Sequence, residues 1–161
     1  MNYILVFILM ILNLCASGAS TEKWISPNKN LLAFVTNTGS GDDSFDVVSI
    51  TKGNDLIAKY SLQKNDDRSA RYVNRGKWSN DSRFFIFSTL SSGGHSIWHT
   101  TTFVFDLQMR AFFEADKYTG PIVGGDFRIL PNNILKVSVM ISDREKSQLT
   151  KYIVLSELGK K

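Results

Sequence analysis

The sequence predicts an all-β fold of three repeated antiparallel sheet units behind a removable leader. Three observations point there. From Glu22 onward the apolar runs are short, are separated by Gly, Asn, Asp, Ser and Pro, and never hold a 3.6-residue period for three turns. One of these runs recurs with its preceding turn at a nearly constant spacing. Finally, 43% of the 161 residues are hydrophobic, eleven are Phe and only three are Pro. That is enough to build a core, and it excludes disordered, collagen-like and proline-rich chains.

The first element is an address. Tyr3 to Leu14 is apolar except for Asn13, and Ala16, Ser17, Gly18 and Ala19 follow. This is the layout of a secretory h-region and cleavage site, so residues 1–19 are expected to be a signal peptide and 20–161 one repeat domain, secreted or periplasmic. The run is too short to span a bilayer, and no transmembrane span is expected in the mature chain. Cys15, the only cysteine, lies at the end of this run. Cleavage after Gly18 or Ala19 removes it, and with it disulfides, thiolate metal sites and a Cys nucleophile. Leu12-Asn13-Leu14-Cys15 also resembles a bacterial lipoprotein box, although Leu14 stands where the box wants a small residue. Lipid anchoring at Cys15 is therefore the second reading.

Strands are expected at Leu31–Thr36, Phe45–Ile50, Leu56–Leu62, Phe84–Thr89, Thr101–Leu107, Arg110–Ala115, Ile134–Ile141 and Thr150–Ser156. Alternation places Leu56, Ala58, Tyr60 and Leu62 on one face, and Leu135, Val137, Val139 and Ile141 on one face of a later strand. Phe84-Phe85-Ile86-Phe87 is apolar on both faces, which predicts a strand sandwiched between neighbours.

The repeat is read directly. Ser26-Pro27-Asn28-Lys29-Asn30 and the run Leu31 to Thr36 align without gaps with Ser79-Asn80-Asp81-Ser82-Arg83 and Phe84 to Thr89, 53 residues on. Trp24 and Trp78 stand just upstream. A third copy aligns Pro131-Asn132-Asn133 with Pro27-Asn28-Lys29, with Phe127 in place of the Trp. The copies span about 22–63, 70–116 and 122–158, each a strand, tight polar turn, strand, variable loop and strand. Such a unit cannot bury both faces alone and must stack on its copies. The Trp24, Trp78 and Phe127 series is expected to pack in the core or between units, because a structural role predicts recurrence at the repeat period.

These turns and strands resemble the WD40-like repeat of TolB-type β-propellers, which runs Trp-Ser-Pro-Asp-Gly into an apolar strand. The chain departs from that pattern at Lys29 and Ser82, where the family prefers Gly. The resemblance implies propeller-blade-like sheets and carries almost no information about chemistry. Closed propellers typically have four to eight blades. Three copies therefore imply an open or incomplete propeller, or two chains paired in a ring, which makes a homodimer one expected partner arrangement.

The charge balance excludes little by itself. Nineteen Lys and Arg against fifteen Asp and Glu give +4, spread along the chain, so no nucleic acid partner is required. The candidate contact loop is 91–100, which holds both histidines. There Trp98 can stack on a sugar or peptide ring, and His95, His99 and Ser92 can hydrogen-bond a protein or glycan ligand. The competing reading makes Gly93-Gly94 an ordinary hairpin turn with Trp98 packed beneath it. No metal or other cofactor is expected, since no carboxylate lies near the histidines. A serine triad from Ser92 or Ser96, His95 or His99, and Asp106 can be assembled on paper, but no nucleophile elbow accompanies it. Asp42-Asp43 and Asp66-Asp67 read as solvated turns. Arg68, Arg71 and Arg75 read first as part of a solvated connection between copies, and second as a contact for an acidic partner. The resulting expectation is an exported, non-catalytic binding protein. A secreted hydrolase or glycan-processing enzyme using the 91–100 loop, and a structural subunit completing a larger propeller, are the alternatives.

Overall fold

The computed structural model describes residues 22–62, 70–91, 100–142 and 147–160. The leader and Cys15, most of the 91–100 loop, Asp66-Asp67 and Arg68 lie outside the described residues. Three antiparallel sheets follow one another along the chain. The first is β1 (Lys23–Ile25), β2 (Leu32–Thr38), β3 (Phe45–Lys52) and β4 (Asp55–Ser61), in that spatial order. The second is β5 (Ala70–Trp78), β6 (Phe84–Ser91), β7 (Thr102–Asp106) and β8 (Ala111–Glu114), again in order. A one-turn helix α1 (Asp116–Thr119) leads to the third, β9 (Ile122–Leu130), β10 (Ile134–Ser142) and β11 (Ser147–Val154).

The second sheet is sandwiched, as the doubly apolar run at Phe84 predicts. Period-2 alternation sends Phe85 and Phe87 to one face, with Phe105 and Phe103 as their partners on β7. They meet Leu31, Ala33, Val35, Val48 and Ile50 of the first sheet, and Trp78 joins them. Phe84, Ile86 and Val104 face the other way, onto Ile122, Phe127, Leu135, Val137 and Val139 of the third sheet. Tyr60 reaches over from β4, its ring 4.7 Å from Phe103 and 5.1 Å from Phe112.

The repeated turn owes its sequence to one hydrogen-bond pattern made twice. Ser26 Oγ donates to Asn28 Oδ1 at 2.7 Å and accepts the Leu31 amide at 3.0 Å, while the Asn30 amide donates to Asn28 Oδ1. Ser79 Oγ likewise donates to Asp81 Oδ1 at 2.6 Å and accepts the Phe84 amide at 2.9 Å, and the Arg83 amide donates to Asp81. Lys29 and Ser82 sit at φ 60° and 63°, the left-handed conformation that Gly adopts without strain. In the third copy Asn132 and Asn133 take it, at 61° and 56°. The turns also clasp one another. The Asn28 amide donates to Ser82 Oγ at 3.0 Å, and Asn133 Nδ2 donates to Asp81 Oδ2 at 2.7 Å.

Several sequence expectations are corrected. The stretch read as a solvated connection contains β5, seven of whose residues pair with β6. The strand runs named from the sequence omit β1 and β9 as well, although the repeat unit places a strand ahead of each turn. Leu56 leaves the face of Ala58 and Tyr60, because a register shift between Ile50 and Thr51 makes Ile57 the extra residue. Leu56 is 59% exposed, and Ile57 packs on the core in its place. Ile141 is 63% exposed beside the shift that ends the regular β10–β11 pairing. Trp24 and Trp78 do pack between the first and second sheets, the Trp24 ring 5.4 Å from Phe85 and Trp78 Nε1 donating to the Trp24 carbonyl at 2.9 Å, but they are not equivalent in register. Trp24 pairs with Ala33, whereas Lys77 pairs with the corresponding Ile86.

Candidate functional site: a basic cleft on the outer face of the third sheet

The site starts from the alternation on β6. The face turned to the third sheet is apolar at Phe84 and Ile86, then becomes polar at Ser88. Ser88 pairs with Arg75 on β5 and Thr102 on β7, so the three form a polar rung at the end of β6 remote from the turn. Opposite this rung β9 shifts register against β10, between the partners of Val137 and Val139, and carries Gly124 and Gly125 at φ 74° and 63°. A Cβ on Gly125 would stand 2.9 Å from Asn74 Nδ2, 3.2 Å from Ser88 Oγ and 3.3 Å from Thr100 Oγ1. The glycine is what lets β9 approach so closely. Asp116 closes the inner side, accepting the Thr102 amide at 2.8 Å and the Ile122 amide at 3.0 Å. Among the described residues the hydroxyls of Ser88, Thr100 and Thr102 are buried without a hydrogen-bond partner.

Past the glycines, Asp126 turns outward and takes Arg75 Nη1 at 2.6 Å, with the Arg75 guanidinium 4.9 Å over the Phe127 ring. The carboxylate side is 88% exposed, so this ion pair adds little stability and serves to aim the guanidinium. Arg75 and Asp126 open a cleft of about 500 Å³ whose walls include Phe127, Arg128, Lys136, Ser138 and Thr150. Arg128 stands directly opposite Lys136 across β9 and β10, and Tyr152 stands opposite Lys136 on β11. Like charges facing each other across strands are destabilising by a few tenths of a kcal/mol. Three cations against one carboxylate, with hydroxyls alongside, make a surface suited to receive an anionic group through charge-assisted hydrogen bonds.

The other charged centre is structural. Arg83 Nε and Nη2 lie 3.2 and 2.7 Å from the two Asp106 oxygens, and its guanidinium lies 4.6 Å over Phe84. Burial pushes the Asp106 carboxyl up, but the Arg83 hydrogen bonds and the Gln108 amide outweigh it and hold the group below the usual carboxylate range. The same bond raises Arg83 above its ordinary value. At Asp81, burial again opposes, and bonds from Ser79, Asn133 and the Arg83 amide again win, lowering it. Asp106 is thus bound to Arg83 rather than available to a triad.

Of the sequence candidates, Ser92, His95, Trp98 and His99 lie outside the described residues, as does Arg68. Arg71 falls on β5. Among the described side chains, Arg75 stands together with further cations. Arg128 and Lys136 were missed, although the alternation that turns Leu135 and Val137 inward already assigns Lys136 and Ser138 to the opposite face. Among the described residues no group of three or more His, Cys, Asp or Glu side chains gathers as a metal site. Among them, too, no helix is long and apolar enough to cross a membrane. Comparison with known protein families and with curated proteins finds no match to this chain.

Proposed function

We propose that the protein is an exported, non-catalytic binding module of three propeller-like blades, whose cleft takes a carboxylate or similar acidic group of a protein or glycan partner. The directly opposed pair Arg128 and Lys136 carries this reading, since an arrangement that costs stability in the free protein is relieved by an anion between the two cations. Arg75, already aimed by Asp126, adds a planar guanidinium at the cleft mouth. The exposed ring of Tyr152, 61% accessible and beside Lys136, supplies an apolar face to a sugar ring or side chain.

The test is titration with two acidic polymers, poly-L-glutamate and polygalacturonate, against the wild type and Arg128→Gln/Lys136→Gln. The wild type is expected to bind at least one of them with a salt-dependent affinity that the double variant weakens tenfold or more, about 1.4 kcal/mol. Equal binding by both proteins, or no binding to either polymer at low salt, would overturn the reading. The choice of polymer separates a peptide partner from a glycan.

A further inference from the structure

Six strands form the edges of the three sheets, and five of them are short or irregular. β1 has three residues and β8 has four. β5 and β9 are interrupted by register shifts against their neighbours, and β4 by the shift that leaves Ile57 extra. Such features keep a sheet edge from recruiting another strand.

β11 is neither short nor interrupted within its length. From Ile134 with Val154 to Met140 with Gln148 its pairing runs without interruption, and the one shift falls at its first residue. Its sequence, Ser147 to Val154, contains no Pro or Gly and a single charge, Lys151. That amine is turned inward, donating to the Thr119 carbonyl, so it does not guard the edge. Leu149, Tyr152 and Val154 are 47%, 61% and 46% exposed along the strand. Among the described residues no strand lies on its outer side, the position that β4 and β8 fill in the other two sheets.

We infer that β11 pairs with β11 of a second copy of this chain, antiparallel across a two-fold axis, joining the third sheets of two protomers. An antiparallel pair of identical strands closes on itself and needs no second surface. The ordinary obstacle to such pairing, lysine facing lysine, is removed by the inward bond of Lys151. Arg128 stands two strands from the edge, roughly 10 Å at the usual strand spacing, so salt largely screens it from its mate. Pairing supplies partners to the free amides and carbonyls and gives Tyr152 and Val154 cross-strand neighbours.

Sedimentation velocity from low micromolar to near-millimolar protein tests this, together with hydrogen exchange of β11 over the same range. The wild type is expected to dimerise with rising concentration while β11 amides slow. Gln148→Lys/Val154→Lys places like charges along the edge and is expected to weaken dimerisation tenfold or more with an unchanged melting temperature. A monomer at every concentration overturns the inference. So does a dimer that survives the double variant while exchange at β11 stays independent of concentration, since another surface would then hold it. Neither substituted residue lines the Arg128 and Lys136 cleft, which is read separately by polymer binding.

Discussion

Gly76 sits on β5 where two aromatic rings converge, and a Cβ there would stand 2.6 Å from the Phe85 ring and 2.9 Å from Trp24. Phe85 is fully buried and cannot give way. Gly76→Ala is therefore expected to cost about 1–3 kcal/mol through overpacking, read as a lower urea midpoint at unchanged m-value. Acid sensitivity also belongs to single residues. Asp81 and Asp106 both titrate below the ordinary carboxylate range in the fold, so their contribution is fully present above the unfolded value near pH 4. It is lost as pH falls through their depressed values. Urea midpoints measured against pH are expected to hold near neutrality and decline below about pH 4, and Asp81→Asn is expected to make that decline shallower.

Each repeat element joins a turn to the strand after it, and at this scale the turn residues are not interchangeable. Lys29 and Ser82 share a left-handed backbone, but only Ser82 has a hydroxyl that accepts the Asn28 amide. Lys29→Gly is expected to raise stability by up to about 1 kcal/mol, whereas Ser82→Gly gains nothing because the relieved backbone is offset by the lost bond; thermal melts compare the two. This element was legible in the sequence because local chemistry determines it. Ser and Asn or Asp two apart, then an apolar run, specify the turn without help from the rest of the chain. The first strands were hidden for the opposite reason. β5 reads Ala-Arg-Tyr-Val-Asn-Arg-Gly-Lys-Trp and β9 holds Gly124-Gly125, so Asn74, Gly76 and the glycine pair break up the strand-forming residues of each. Neighbours extend them: β6 supplies the ladder for β5, and β10 for β9. The cleft was half legible. Arg75 stood out in a basic stretch, but its meeting with Arg128 and Lys136 depends on how β5 comes to lie against β9, which no local pattern encodes.

Across the molecule the two apolar clusters share the second sheet, one on each of its faces. Damage at one junction should therefore weaken both. Ile86→Ala opens the junction with the third sheet and is expected to cost about 2–5 kcal/mol. Tryptophan fluorescence, sensitive to Trp24 and Trp78 at the other junction, should shift to the same lower denaturant midpoint as far-UV circular dichroism. Two separated transitions would show that the sheets unfold as independent units. The clasp between the repeat turns, from Asn28 to Ser82 and from Asn133 to Asp81, strengthens the expectation of a single transition.

The sandwiched position of the second sheet also governs how the protein comes into being. As the polypeptide leaves the ribosome, Val35, Val48 and Ile50 emerge well before the phenylalanines that will cover them. Phe84 and Ile86 must then wait in turn for Leu135 and Val137. The nascent chain therefore carries an unsatisfied greasy surface through most of its translation, and only the arrival of the last sheet ends its exposure to misassembly.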